Sequence, residues 1–244
     1  MKNHRLDEKK IGTAEVIVDI LPKGKVIPDV KITPTSITIH QTGNVDASAQ
    51  ANHNYMKNIN KSGDRVASWA ITVGYDKIIQ AQSCNYKCYH AGTTAGNNSS
   101  IGIEICMYSD AEKQKQAYLN AIELVKIMLK HYGWGIDKVK QHNNWSGKNC
   151  PAWLRANKYG YNWDWFKNQI VAQPTQASSF VVKVLVDSLN VRKGPGTSNA
   201  VVTTVKKGEA FTIVEVNGSW GLLKSYQSGR NGWINISSSY VKRV

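Results

Sequence analysis

The chain has 244 residues, 41% hydrophobic and 20% charged, a balance that carries a packed core and excludes wholesale disorder. No apolar run approaches the roughly 18 residues of a membrane span, which excludes an integral helical membrane protein. Lys and Arg total 31 against 17 Asp and Glu, a net charge of +14, so an anionic partner is expected: nucleic acid, an anionic membrane, or a cell wall bearing teichoic acids.

In chain order, the first ten residues are charged with no apolar stretch behind them, so no ordinary secretory signal is expected. Ser36 to His40 alternates and reads as a strand. Asp46 is placed to cap a helix running to about Lys61, with Ala47, Ala51, Tyr55 and Ile59 along one face and Gly63 beyond. Trp69 to Val73 and Lys77 to Gln82 read as paired strands around a Gly74-Tyr75-Asp76 turn. Ile101, Ile103 and Ile105 alternate with Gly102, Glu104 and Cys106. Ser109 and Glu112 form a capping-box pattern ahead of a long helix. Tyr118, Ala121, Ile122, Val125, Met128, Leu129 and Tyr132 line its inner face, Asn120, Glu123, Lys126 and Lys130 its outer one, and Gly133 ends it. A further helix is expected from Asn162 to Ile170.

The fold class expected for residues 1–172 is α/β, a mixed central sheet flanked by helices. Residues 173–179 are small, polar, uncharged and Pro-containing, and read as a linker. Residues 180–244 hold short β-rich runs at Phe180 to Val186, Phe211 to Val216, Gly221 to Lys224 and Gly232 to Ile236. They are split by Gly194-Pro195-Gly196, Asn217-Gly218 and Ser228-Gly229, which predicts a small all-β barrel. This piece carries nine basic and three acidic side chains against 22 and 14 before the linker, and its higher charge density marks it as the docking module.

Four cysteines, Cys84, Cys88, Cys106 and Cys150, are too few for a disulfide framework; free thiols or metal ligands are the default. Cys84 and Cys88 read either as a small disulfide or as two thiols. His40 closes its strand on the face opposite Ile37 and Ile39, where it is either a solvated residue or a site residue. The segment Gln141 to Pro151 brings His142, Lys148 and Cys150 into one loop. Zinc takes imidazole nitrogen and thiolate, and a catalytic site uses three protein ligands plus water; His40, His142 and Cys150 would make that set. Glu104, a carboxylate inside an apolar strand, either activates a water or pairs with a buried cation. Lys148 shares a face with Cys150 in an extended segment and is either an oxyanion partner or a surface lysine.

The segments Ile39-His40-Gln41-Thr42, Tyr89-His90-Ala91-Gly92, Asn98 to Glu104 and Trp145-Ser146-Gly147-Lys148-Asn149-Cys150-Pro151 together resemble the zinc N-acetylmuramoyl-L-alanine amidases, which share their fold with T7 lysozyme and the peptidoglycan recognition proteins. The resemblance covers roughly residues 30 to 170. It implies one zinc ion on His40, His142 and Cys150, Glu104 as general base, and Lys148 as oxyanion partner. It implies substrate contacts at His90, Trp69, Asn98 and Trp145. Some members place a Tyr where Trp69 stands; Trp69 has no acidic proton, which assigns it to packing or the cleft wall and shifts the burden to Glu104. Cys84 to Cys88 is not part of the family pattern.

Asp187 to Ser198, with Asn190-Val191-Arg192 ahead of Gly194-Pro195-Gly196, resembles the bacterial SH3 family, and Gly218-Ser219-Trp220 and Gly232-Trp233-Ile234 fit its later strands. That implies cell-wall binding. Trp220, Tyr226, Trp233 and Tyr240 either line a peptide groove or, for the two tryptophans above all, belong to the core. The expected protein is thus a peptidoglycan hydrolase of Gram-positive walls, of phage-endolysin or autolysin type, or else a non-catalytic binder on the same fold. As an endolysin it is expected in the host cytoplasm until a holin releases it to the wall. It is expected to be a monomer, with teichoic acids as a further partner, no membrane insertion and no nucleic acid, since the cations spread along both domains without a recognition motif.

Overall fold

The computed structural model describes residues 1–171, 179–224 and 232–244. The chain divides into two compact units, Met1–Val171 and Ala172–Val244. The expected linker lies outside the described residues except for Ser179, as do Tyr226 and the Ser228-Gly229 turn.

The first unit is built on a seven-stranded mixed sheet. Its strands are β1 (Lys10–Ile11), β2 (Ala14–Val18), β3 (Ser36–Val45), β4 (Ile71–Val73), β5 (Lys77–Gln80), β6 (Ser100–Met107) and β7 (Val139–Gln141), in the order β1-β2-β5-β4-β6-β3-β7. β3 runs parallel to both β6 and β7, and β4 parallel to β6. Helices α1 (Ala49–Ser62), α2 (Thr94–Ser99), α3 (Ala111–Tyr132), α4 (Asn143–Ser146), α5 (Ala152–Arg155) and α6 (Trp163–Val171) complete it. The sheet is mixed and flanked by helices, as the sequence leads one to expect. The two N-terminal strands are an addition, because β1 is too short to show a period.

Residues Ser36 through Gln41 are all buried, so β3 is covered on both faces, as a central parallel strand is. Ile37, Ile39, Ile71, Ile79, Ile101, Ile103 and Ile105 form the sheet's share of the core, and each fully buried side chain of this size is worth about 1.5–3 kcal/mol. α3 supplies the facing layer with Ala117, Tyr118, Ala121, Leu124, Val125 and Met128.

Four local expectations need correction. Ser48, not Asp46, caps α1: its side chain accepts from Ala51 N, while Asp46 has a positive φ of 64° and its carboxylate takes the backbone N–H and hydroxyl of Ser109. The buried face of α1 is Ala49, Asn52, His53, Met56, Ile59 and Asn60, and Tyr55 is exposed. Polar residues are inside because they find partners there: Asn60 accepts from Val26 N and Ile27 N and donates to Pro22 O, and His53 meets Asp19 at 2.8 Å. α3 is capped by Asp110, whose carboxylate accepts from Glu112 N and Lys113 N, because Ser109 is already engaged with Asp46. Asn120, expected outside, is fully buried; its amide donates to Gly74 O and Tyr75 O and accepts from Thr13 N, tying α3 to two turns.

Cys84 and Cys88 are free and buried, so the alternative of two thiols holds; burial pushes both up to about 12.

The second unit is all-β: β8 (Phe180–Val184), β9 (Ser188–Arg192), β10 (Val201–Lys206), β11 (Ala210–Asn217), β12 (Trp220–Leu223), β13 (Trp233–Asn235) and β14 (Val241–Arg243), in the order β10-β9-β13-β12-β11-β8-β14. Every pairing is antiparallel. Alternate residues of β8 and β9 are buried, placing Val182, Val184, Leu189 and Val191 in a core with Val205, Ile213, Leu223, Ile234 and Val241. The Arg192 guanidinium donates to Thr197 O and Asn199 O, which folds the Gly194-Pro195-Gly196 loop back on β9. Trp220 and Trp233 are half-buried and outside this core, correcting their assignment to it; small aliphatic residues already fill the interior. Tyr240 is exposed.

Candidate functional site

Three adjacent parallel strands set the site. β6, β3 and β7 lie side by side, and neighbouring strands are about 4.8 Å apart. Glu104 on β6 is the register partner of His40 on β3. His142 follows directly on β7. A carboxylate and two imidazoles from distant parts of the sequence are thereby aligned in a row, Glu104 and His40 from the middle of β6 and β3 and His142 from the C-terminal end of β7. The loop after α4 returns Cys150 to the same place. Asn143 shapes that loop, its side-chain amide donating to Gly147 O and Lys148 O and its backbone N–H to Cys150 O.

His40 Nδ1 lies 3.1 Å from His142 Nδ1 and 3.8 Å from Cys150 Sγ. The ligand atoms of these three residues all fall within 4.8 Å of one another, and all three side chains are buried. Zinc–nitrogen bonds of about 2.0–2.1 Å and zinc–sulfur bonds of about 2.3 Å in a tetrahedron require separations of this size, so the donor set fits one zinc ion.

The proton positions agree with that fit. His90 Nε2 is 3.1 Å from Ser100 O, a carbonyl that only accepts, so this nitrogen carries the proton. His90 Nδ1 is then an acceptor, and it lies 3.0 Å from His40 Nε2, which donates to it. His40 Nδ1 is left with a bare lone pair facing His142 and Cys150. A backbone hydrogen bond at Ala91 holds His142 in turn. Burial, then the neighbouring imidazoles and Lys148, hold His40 well below the usual imidazole range. Burial brings His90 down to about 4 and lowers His142 too. All three rings are therefore neutral at pH 7, the form in which imidazole ligates metal. The Cys150 thiol is pushed up to about 12 by burial and then by Glu104.

A cleft of about 370 Å³ opens over this set. Glu104, Lys148, Arg65, Trp69, Tyr89 and His90 are among its walls. Among the described residues Glu104 Oε2 is buried without a hydrogen-bond partner, and burial raises this carboxyl to about 8 against the opposing pull of Lys148 and Arg65. A carboxyl poised between neutral and ionised near pH 7, beside a metal-ligand set, is suited to take up and return a proton.

The other expected contacts divide. His90 lines the cleft but is buried behind His40, which it orients. Trp69 is 6% exposed, packs with Leu21, Ile27, Met56 and Ala81, and donates from its indole to Thr72 Oγ1, leaving one edge on the cleft. Trp145 is not among the cleft-lining residues: its indole donates to Thr38 Oγ1 and its ring carries the Lys140 ammonium 4.4 Å away. Asn98 is exposed on α2, and the neighbouring Asn97 does the work, accepting from His90 N and Ala91 N. One residue along a helix turns a side chain by about 100°, so two successive asparagines cannot be told apart by pattern.

Sequence reasoning also passes over Arg65, Asn97 and Gly102. A Cβ on Gly102 would come within 2.7 Å of the His90 ring. Gly102→Ala is accordingly expected to displace His90 and loosen His40, weakening zinc affinity by about 10–100-fold, the usual cost of losing a metal ligand's orienting partner; competition with a chromogenic chelator measures it, and unchanged affinity would contradict the role of His90.

The sequence profile of the family described as N-acetylmuramoyl-L-alanine amidase matches residues 31–153, half of the chain, and that described as bacterial SH3 domain matches residues 187–242. The N-acetylmuramoyl-L-alanine amidase XlyA of Bacillus subtilis is 37% identical over 173 residues, covering 69% of this chain and 54% of that protein. XlyB of the same organism is 34% identical over 180 residues, covering 72% and 51%. The chain thus spans about half the length of the curated relatives it matches. Among solved structures, the catalytic domain of XlyA superposes with a TM-score of 0.56 at 35% identity, covering 64% of this chain and 99% of that one. PlyL does so with a TM-score of 0.55 at 28% identity over 65% and 99%. With a family profile spanning half its length and the row of His40, Glu104 and His142 at its centre, this chain belongs to the N-acetylmuramoyl-L-alanine amidase family and carries a bacterial SH3 domain behind the amidase domain.

Proposed function

We propose that this protein hydrolyses peptidoglycan at the amide between the lactyl carbonyl of N-acetylmuramic acid and the L-alanine of the stem peptide, using one zinc ion held by His40, His142 and Cys150. The observation that carries this reading is the convergence of those three ligand atoms within 4.8 Å at the floor of a cleft walled by Glu104 and Lys148. When bound, zinc supplies Lewis acidity, bringing the pKa of water toward about 7 and polarising a carbonyl. Glu104 takes the proton of the attacking water and delivers it to the leaving amine. Lys148, exposed at the cleft mouth, faces the charge that develops on the carbonyl oxygen. His90 keeps the proton of His40 on Nε2 and so keeps Nδ1 available.

The endolysin role is supported by likeness to a structure described as a mutant endolysin from Bacillus subtilis, with a TM-score of 0.57 at 35% identity. In that role the protein acts as a monomer on Gram-positive walls after a holin opens the host membrane. The SH3 domain anchors the enzyme to the wall, and the net charge of +14 favours walls that carry anionic teichoic acids.

The test is digestion of purified peptidoglycan with and without chelator, followed by mass spectrometry. Stem peptides with a free N-terminal alanine, lost on chelation and restored by zinc, are expected. Intact peptidoglycan from several wall types, with zinc bound, would refute the amidase reading. Residues 1–171, which hold their own core, are expected to retain cleavage of soluble muramoyl peptides but to pellet with isolated walls several-fold less than the full chain. Equal sedimentation would remove the anchoring role.

A further inference from the structure

Beside the cleft lies a second cavity of about 320 Å³. It shares Thr42, Arg65, Lys148 and Cys150 with the cleft, so it is continuous with the ligand set. Among the described residues, no Asp or Glu lines it.

Its polar groups sort by whether they are already engaged. The Gln41 amide donates to Tyr118 Oη and accepts from Trp153 N. Asn149 Oδ1 accepts from Arg155 Nε. Gly43 N is directed at Met107 Sδ. Three groups remain without a hydrogen bond or ion pair among the described residues: the Arg65 guanidinium, the Lys148 ammonium and the Thr42 hydroxyl. Thr42 Oγ1 is buried and has no hydrogen-bond partner among the described residues. A buried hydroxyl left unpaired has lost its hydration without compensation, which a bound acceptor would supply. Arg and Lys only donate, and Thr donates one proton. The cavity's free groups are donors and positive charges, and the nearest carboxyl, Glu104, lies in the adjoining cleft, where burial keeps it largely neutral against the pull of Lys148 and Arg65.

We propose that Arg65, Lys148 and Thr42 form a subsite for a carboxylate on the peptide portion of the substrate, so that the enzyme discriminates stems carrying a free carboxylate next to the scissile alanine from stems in which that group is amidated. This rests on the amidase reading for the nature of the ligand. The guanidinium fork matches a carboxylate in two parallel hydrogen bonds, and an amide in its place presents an N–H₂ to a site made of donors. Discrimination arises from the repulsive contact as much as from the attractive one.

The full-length protein, held zinc-free with chelator so that nothing is cleaved, is titrated by calorimetry with two muramoyl tripeptides. They differ only in a free or amidated carboxylate on the residue after alanine. The free acid is expected to bind about tenfold tighter, equivalent to about 1.4 kcal/mol. In Arg65→Gln the ratio is expected to fall to about one, and in Thr42→Val to shrink partway. Arg65 is exposed, so its replacement leaves the fold standing, as circular dichroism would verify. The preference of the native protein is also expected to decline as salt rises, because an exposed guanidinium is screened. Equal or undetectable binding of the two peptides, or a ratio that survives in Arg65→Gln, overturns the subsite. Cleavage on adding zinc back reports separately on the amidase reading: cleavage with equal affinities defeats only the subsite, and preferential binding without cleavage defeats only the amidase.

Discussion

Glu104→Gln is expected to lower peptidoglycan turnover by about 10²–10⁴-fold, the usual contribution of a positioned general acid–base, while zinc content stays at one per chain. Glutamine keeps the shape and the burial but cannot carry the proton. The proposed ligands His40, His142 and Cys150 are untouched, so metal analysis separates this loss from a collapsed site. The same substitution has a second consequence in the metal-free protein. The Glu104 carboxyl sits at about 8 when folded and at its ordinary value near 4.5 when unfolded. Between those values the unfolded chain ionises and the folded one does not, so the native protein binds the extra proton and loses stability as pH rises. Glutamine removes that penalty. In chelator, Glu104→Gln is expected to match the native protein near pH 4 and to become increasingly more stable toward pH 8, by a few kcal/mol. Denaturant unfolding across that range measures it. A variant with native turnover would remove Glu104 from the chemistry, and a stability difference flat with pH would show that the carboxyl is ionised in the fold.

Cys150→Ala is expected to weaken zinc binding by at least about 100-fold and to bring cleavage to background, because a three-ligand site cannot lose a thiolate and still exclude water from the ion on that side. His142→Ala should behave alike. The Cys150 thiol, held at about 12 without metal, must lose its proton on binding. Zinc affinity is therefore expected to climb about tenfold per pH unit through neutrality, with one proton released per ion. Competition titrations at pH 6, 7 and 8 would measure both. A pH-independent affinity, or full zinc content in Cys150→Ala, would assign the ion to other ligands.

How far these residues could be read beforehand depended on where their partners lie. His40, Glu104 and the His142 to Cys150 loop were legible because each sits in a distinctive local setting, and the resemblance joined them. The burial of His40 was not. Alternation alone places it opposite the isoleucines, whereas a strand between two parallel neighbours is covered on both faces. Asn98 and Trp145 stand out in the sequence only by their place in motifs. Their side chains leave the cleft because α2 and α4 turn them away, toward solvent in one case and toward Thr38 in the other.

The caps failed for a related reason. Asp46 and Ser109 each satisfied a capping pattern within their own segment. In the fold they bond to each other across 63 positions, and Ser48 and Asp110 cap the helices instead. Buried asparagines such as Asn60 and Asn120 were likewise invisible, since a polar residue is admitted to the interior only by partners that the chain brings from elsewhere.

By itself, then, the sequence determined what depends on local period and composition: a mixed α/β unit, a short-stranded β unit, the strong positive charge, and the residue types able to hold zinc and move a proton. The tertiary structure alone decided what depends on which strands become neighbours. Setting β6, β3 and β7 side by side puts Glu104, His40 and His142 in one row. It places His90 behind His40 to fix a proton, and it gathers Arg65, Lys148 and Thr42 around a cavity that no acid lines among the described residues. No sequence spacing encodes those distances, because they are set by strand order and by the packing that makes it stable.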